Sequence, residues 1–297
     1  MKILITGGTG FIGTDLCHSL IAHNHQLTVL SRRPDQVASL CGETVLAITN
    51  LNQLQNTDHF DAIINLAGEG IADSRWTAQR KAVLQDSRIK ITEQLTLYIA
   101  RAETKPEVLI SGSAIGFYGN RGDTELHEKS SSVNDFAHKL CKQWENAASK
   151  VKYDSVRLCI LRTGLVVGRN GGFLKSMLLP FKLGLGGRIG NGKQWMSWIH
   201  KNDLIAIIEL LLNSPTLQGV FNGTSPNPVT NANFSRCLAK TLHRPAWLPV
   251  PAFVLKLLLG EMSELLLGGQ KVLPKKLAQQ KFKFKFPTLD EALQDVL

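Results

Sequence analysis

Three spaced glycines raise the first chemical question. Gly7, Gly10 and Gly13 stand in Thr6-Gly7-Gly8-Thr9-Gly10-Phe11-Ile12-Gly13, directly after the apolar run Lys2-Ile-Leu-Ile. A sharp turn off a strand is easiest at the first glycine. A bound pyrophosphate can approach the backbone at the second, and a helix can press against the sheet at the third. A helix opening near Phe11 then offers unpaired N–H groups and a partial positive charge to the phosphates. The Gly-x-x-Gly-x-x-Gly spacing departs from the commoner dinucleotide form, which has one residue between its first two glycines. A plain turn also collects glycine, but the strand before and the apolar-periodic segment after supply the context a nucleotide site demands. Gly7, Thr9, Gly10, Phe11, Ile12 and Gly13 are therefore candidate cofactor contacts.

A second group sets the cofactor's identity. Ser31-Arg32-Arg33 follows the apolar run at 26–30, with no acid before the arginines. At this tip an acid holds the ribose hydroxyls of NAD, whereas arginine meets the 2′-phosphate of NADP. A charge-assisted contact to a phosphate is worth about 1.5–3 kcal/mol, so one arginine can favour NADP(H) about ten- to a hundredfold. The expected cofactor is NADP(H). Further along, the small residues of Leu66-Ala67-Gly68, with Glu69, let the backbone pass close to a ribose edge or simply pack closely. Ser111-Gly-Ser113 closes another apolar run and Tyr118-Gly119 follows. A serine at a strand end can polarise a substrate carbonyl.

The elements that must position these residues alternate. Strands are expected at 26–30, 44–48, 61–67, 108–111 and 156–161, and helices at 11–22, 77–101 with room for one break, 134–150 and 204–212. Such alternation implies right-handed crossovers and an α/β fold of the Rossmann type, a doubly wound parallel sheet with ligands beyond its C-terminal strand ends. After Gly164 the texture changes to a glycine-rich stretch and a proline-punctuated tail. Residues 1–167, completed by about 193–223, read as the NADP(H)-binding domain. Residues 168–192 and 224–297 read as a smaller, discontinuous substrate lobe. The run at 252–268 reads as an amphipathic or core helix rather than a membrane span.

The chain has 297 residues and a formal charge of +10. Lys271, Lys275, Lys276, Lys281, Lys283 and Lys285 form an acid-free stretch that could follow a phosphate backbone. The period-two order Lys281-Phe282-Lys283-Phe284-Lys285-Phe286 instead suggests a strand with Phe inward and Lys solvated, so nucleic acid is disfavoured. Five scattered cysteines argue against a disulfide framework and for a reducing cytoplasm. No cleaved signal is expected before the first strand, and no Cys/His cluster has metal-ligand spacing. The expected partner is a small-molecule substrate, with no membrane partner; the oligomeric state is left open.

Several of these motifs together resemble the extended short-chain dehydrogenase/reductases: the glycine loop, Asn65-Leu-Ala-Gly68, Ser111-Gly-Ser113 with Tyr118-Gly119, Arg162-Thr-Gly164, and Trp198-Ile-His200 with Asp203. More narrowly, Leu179-Pro-Phe-Lys-Leu-Gly-Leu-Gly-Gly187 and Leu267-Gly-Gly-Gln-Lys-Val-Leu-Pro274 are similar to the YfcH-type epimerase-family proteins. The resemblance covers nearly the whole chain. It implies an NADP(H)-bound N-terminal domain, with Arg88 and Leu165-Val166 approaching the cofactor. Arg88 also reads as a solvated helix charge, and Val166 as strand-end packing.

Active members of the wider superfamily carry Tyr-x-x-x-Lys on the helix after the fifth strand. Lowering a phenol's pKa from about 10 to near 7 requires about 4 kcal/mol of differential stabilisation, which the lysine and cofactor supply. Here that helix reads Asn134-Asp-Phe-Ala-His-Lys-Leu-Cys-Lys-Gln-Trp-Glu145. With Lys139 as the motif lysine, Asp135 takes the tyrosine's place; in the other register Ala137 and Cys141 occupy the two positions. Three explanations remain: Tyr118 supplies the phenol, His138 or Lys139 acts as acid/base, or ordinary redox chemistry is lost. The other two tyrosines, Tyr98 and Tyr153, are expected in a helix and in a loop away from the cleft. Ser113, Tyr118 and Lys139 are the catalytic candidates. The expected activity is an NADP(H)-dependent oxidoreductase or epimerase on a small carbonyl or nucleotide-sugar-like substrate. The alternative is an NADPH-binding sensor or scaffold.

Overall fold

The computed structural model describes residues 1–169 and 171–297. Asn170, within the expected 168–192 insertion, and the side chains of Lys152 and Tyr153 lie outside the described residues, so the expected position of the Tyr153 phenol does too.

The apolar run forms β1 (Lys2–Thr6), and Gly7, at a φ of 73°, turns it toward α1 (Gly13–Ala22). Next come β2 (Gln26–Leu30), the short α2 (Val37–Cys41) and β3 (Leu46–Ile48). β4 (Ala62–Asn65) leads to α3 (Ala78–Arg101), which runs without a break. β5 (Val108–Ala114), β6 (Glu125–Leu126) and α4 (Phe136–Ser149) follow. β7 (Arg157–Thr163) and β8 (Leu165–Val167) precede α5 (Gly172–Lys182). β9 (Trp195–Met196), β10 (Trp198–His200), α6 (Lys201–Asn213) and β11 (Gly219–Gly223) return the chain to the sheet. The remainder is β12 (Val229–Thr230), α7 (Asn231–Thr241), α8 (Ala252–Leu259), α9 (Glu264–Leu267), β13 (Lys271–Val272), α10 (Lys275–Gln279) and α11 (Leu289–Val296).

Seven strands make one sheet in the order β11-β7-β5-β4-β1-β2-β3, every neighbouring pair parallel. Parallel neighbours cannot be joined by a hairpin, so helices cross over and cover both faces. Ile3, Ile5 and Val29 bury one face against α1 and α6, while Leu4, Ile63 and Leu109 bury the other against α3 and α4. The strand order reverses between β1 and β4, which opens a crevice beyond their C-terminal ends. This is the doubly wound Rossmann-type sheet that the alternation implies.

A second core gathers Val167, Leu174, Phe181, Trp198, Phe234 and Leu293, from elements between β8 and the C-terminus. Met196 and Trp198 belong to it, so the chain serves this core before α6 and β11 rejoin the sheet.

Two expectations from the late chain are corrected. No strand forms at 281–286: Lys281 has a φ of 54°, and the N–H groups of Lys285 and Phe286 donate to the Asp203 carboxylate at 2.7 and 3.0 Å. A side chain has taken the bonds a neighbouring strand would have accepted, although the phenyl groups still pack inward and the lysines stay exposed. The run at 252–268 is not one helix. Gly260, at a φ of 59°, ends α8, and no residue of α8 is buried. No helix among the described residues is long and apolar enough to cross a membrane. The five cysteines are all free.

Candidate functional site

The glycine loop has the shape its spacing implies. A Cβ on Gly7 would come within 2.6 Å of the Leu66 carbonyl oxygen, and one on Gly13 would overlap the carbonyl oxygen of Gly7. A Cβ on Gly10 would meet only the Gly7 carbonyl, at 3.1 Å. Gly7 and Gly13 are thus needed for packing, whereas Gly10 is exposed to the crevice. No side chain caps the N-terminus of α1. Helix N–H groups left without a side-chain acceptor beside an uncovered glycine suit an anion such as a pyrophosphate.

Beneath the loop lies a polar floor. Thr6 donates its hydroxyl to Asn65 Oδ1 at 2.6 Å and accepts from the Ala67 N–H at 3.2 Å. Asn65 donates to Thr92 Oγ1 at 2.8 Å, and Trp144 Nε1 donates to the same oxygen at 3.0 Å. The bonds tie β1, β4, α3 and α4 together and hold Leu66 and Ala67 beside Gly7. Thr6, Thr92 and Trp144 carry no sequence signal for this role, because their meeting depends on crossovers spanning many residues.

At the rim the Ser31 hydroxyl accepts from the Arg33 N–H at 3.1 Å and shapes the turn. Arg32 extends into solvent with its side chain 89% exposed, and its Nη1 lies 2.8 Å from Glu69 Oε1. Arg33 is also exposed. Glu69 has a second cation, Arg80, at 3.8 Å. Arg88 is half-buried, donates to the Glu69 carbonyl at 2.7 Å, and lies close against Gly68. Burial holds its guanidinium below the ordinary arginine range. Arg88 is therefore a packed part of the crevice wall, not a solvated helix charge.

Phe11 connects the loop to the second core. Its ring lies against Gly168, Gly171 and Gly172, and the amine of Lys201 stands 4.6 Å above it. Lys201 also pairs with Asp15 of α1. Val166 sits beside this contact, where its carbonyl approaches Gly172, and its side chain packs on the sheet core with Ile12. Thr9 is half-buried in the loop.

The other end of the crevice is differently built. β5 continues to Ala114, so Ser113 lies inside a strand and not beyond its end. Its hydroxyl donates to Glu145 Oε1 at 2.7 Å. Arg162 grips the same carboxylate through Nε and Nη2, both at 2.8 Å. Burial works against the charge of Arg162, and the hydrogen bonds and charge of Glu145 outweigh it, holding the guanidinium above its ordinary range. Arg162 Nη1 also donates to the Tyr118 hydroxyl at 3.0 Å, which donates to Asn222 Oδ1 at 2.7 Å.

Tyr118 has no exposed surface, and burial raises its pKa against the opposing pull of Arg162 and Asn222. The hydroxyl of this catalytic candidate thus donates once and accepts once inside the protein. Lys139 stands exposed on α4 and makes no bond to the crevice network. His138 is buried, its Nδ1 donating to the Phe117 carbonyl at 2.7 Å, and Asp135 caps α4 by accepting from the His138 N–H at 2.7 Å. Ala137 packs against Gly116, and Cys141 is buried with its thiol pushed up to about 12. The structure thus joins Ser113 and Tyr118 through Glu145 and Arg162 and leaves Lys139 apart.

Residues 3–222 match the sequence model of the NAD dependent epimerase/dehydratase family, and residues 250–296 match a family described as a domain of unknown function, DUF1731. The chain is 38% identical over 303 residues to the chloroplastic epimerase family protein SDR39U1 homolog of Arabidopsis thaliana, spanning 100% of this chain and 87% of that protein. It is 36% identical over 302 residues to the epimerase family protein YfhF of Bacillus subtilis (strain 168), spanning 100% and 98%. Among solved structures, human epimerase family protein SDR39U1 (isoform 2), crystallised with NADPH, superposes with a TM-score of 0.91 at 35% identity, over 100% of this chain and 99% of that one. The chain belongs to the NAD dependent epimerase/dehydratase family and, within it, to the SDR39U1-like epimerase-family proteins.

Proposed function

We propose that this protein binds NADP(H) at the glycine loop and works as an oxidoreductase or epimerase on a small carbonyl or nucleotide-sugar-like substrate. The observation that carries the reading is the combination of an exposed Gly10 before the uncapped start of α1 with a solvent-exposed Arg32, paired only at the rim with Glu69, just beyond the end of β2. The first suits a pyrophosphate and the second a 2′-phosphate. Gly7, Thr9, Gly10, Phe11, Ile12 and Gly13 would cradle the phosphates, with Ser31, Arg32 and Arg33 around the extra phosphate. Leu66, Ala67, Gly68, Glu69, Arg88 and Val166 would wall the slot. The NADPH in the solved human relative supports this assignment.

When bound, the cofactor supplies a hydride; the chain's residues position the partners and exclude water. Residues 1–167 with about 193–223 would form the cofactor domain, and 168–192 with 224–297 the substrate lobe. The free cysteines are consistent with a reducing compartment such as the cytoplasm. We group the chain with the YfcH-type proteins on its glycine-rich and Leu267–274 motifs.

One observation favours a second reading, an NADPH-dependent sensor or scaffold. The hydroxyls of Ser113 and Tyr118 are both engaged in internal hydrogen bonds, so neither is free in this arrangement to act on a substrate. Mixing the NADPH-loaded protein with libraries of carbonyls and nucleotide sugars, while following the absorbance of reduced nicotinamide, separates the readings. Oxidation supports the oxidoreductase. Retention of NADPH with no oxidation, and no epimer formed, supports the sensor.

A further inference from the structure

Away from the crevice, the second core carries an unusual surface. Residues 171–200 and 224–260 contain eight Lys or Arg and no Asp or Glu; of these cations Lys240 lies 3.8 Å from Asp290 of α11. Among the described residues fourteen large hydrophobic side chains are exposed, and eight of them fall between 179 and 258: Leu179, Leu183, Leu185, Trp247, Leu248, Phe253, Leu257 and Leu258. The other six are scattered through the sequence, as single exposed apolar residues usually are.

The segments bearing these residues lie side by side. Arg244 Nε donates to the Lys182 carbonyl at 3.0 Å, and Pro245 packs at Gly184. The Leu248 backbone sits tightly against Gly187. The Val250 N–H donates to the Arg188 carbonyl at 2.9 Å, and the Gly190 N–H to the Val250 carbonyl at 2.9 Å. The end of α5, the strap after it, the 244–250 strap and the start of α8 therefore form one continuous strip. Between that strip and α7 runs a groove of about 560 Å3, lined by Arg188, Arg236, Lys240, Arg244 and Trp247. The Trp247 side chain belongs to a residue 84% exposed.

We propose that this strip is a docking surface for an acidic amphipathic segment of a partner protein, with apolar side chains against the leucines and Trp247 and carboxylates toward the groove arginines. Exposed Trp and Arg side chains around a concave centre are what protein interfaces concentrate. A helix with one apolar face fits such a groove. Charge disfavours a second copy of this chain as the occupant, because both halves of a two-fold contact would bring the same excess of cations. A lipid bilayer also favours basic and aromatic side chains, and vesicles are therefore the competing probe in the test.

The test uses the full chain and a fluorescent synthetic peptide with Leu at positions i, i+3, i+4 and i+7 and Glu elsewhere, alongside the same peptide with Lys for Glu. Phosphatidylglycerol vesicles are the third probe. The acidic peptide alone is expected to bind, more weakly as salt rises, and about tenfold more weakly to Arg188→Glu or Trp247→Ala. Both variants are expected to keep the melting temperature and NADPH affinity of the unaltered chain, which separates this surface from the nucleotide site. Failure of the acidic peptide to bind overturns the proposal. So does equal binding by both variants, binding of vesicles but not peptide, or self-association lost on Trp247→Ala.

Discussion

At the glycine loop the chain leaves polar groups unspent: Gly10 is exposed, the start of α1 has no side-chain cap, and Arg32 reaches into solvent beside Glu69. At the Ser113 end every comparable group is consumed. Ser113, Glu145, Arg162, Tyr118 and Asn222 satisfy one another in a buried chain of hydrogen bonds. A low dielectric makes such a network costly to leave half-made, so a closed set of bonds confers rigidity, while an open set of donors awaits a ligand. The contrast sets an open crevice beside a closed, buried network in one fold.

The contrast can be broken most forcefully at Glu145. Glu145→Gln leaves the Arg162 guanidinium buried without its counter-charge, a loss of about 3–5 kcal/mol of stability in denaturant unfolding. NADPH affinity of the folded fraction is expected to stay unchanged; a stability near that of the unaltered chain means the network is not closed. Arg32→Ala should weaken NADPH about ten- to a hundredfold by calorimetry and leave NADH alone. Equal loss for both would remove the 2′-phosphate from Arg32.

Tyr118→Phe removes a hydroxyl that bonds twice and should cost about 0.5–1.5 kcal/mol of stability. Its turnover on any substrate found is expected to persist; selective loss of turnover with stability intact would reopen the catalytic reading. Glu69→Gln sharpens the other end. With its carboxylate gone, Arg32 no longer shares its charge, and NADPH should tighten by no more than about fivefold, since an exposed pair is a weak one. Weaker binding would mean that Glu69 orients Arg32 rather than competing for it.

Much of the candidate cofactor site was legible because its parts are local. A strand, three glycines and a helix lie within twenty-two residues, and Ser31-Arg32-Arg33 follows the next strand directly. The sheet was equally plain, since buried parallel strands read as continuous apolar runs. The sequence singled out Ser113 and Tyr118 as neighbouring polar groups, but their hydrogen-bond partners were invisible as such. Glu145, Arg162 and Asn222 reach them from α4, β7 and β11, and only the sheet order brings those elements together. The strand expected at 281–286 failed for a related reason: period two reports which side chains are buried, not which atom accepts the backbone bonds, and here it is the distant Asp203.

The most direct test of the central claim is a pair of calorimetric titrations of the unaltered protein, one with NADPH and one with NADH, at the same ionic strength. NADPH binding at least about tenfold tighter is expected from one arginine contact to the 2′-phosphate. Equal affinities, or no retention of either coenzyme, would contradict a crevice built around Gly10 and Arg32.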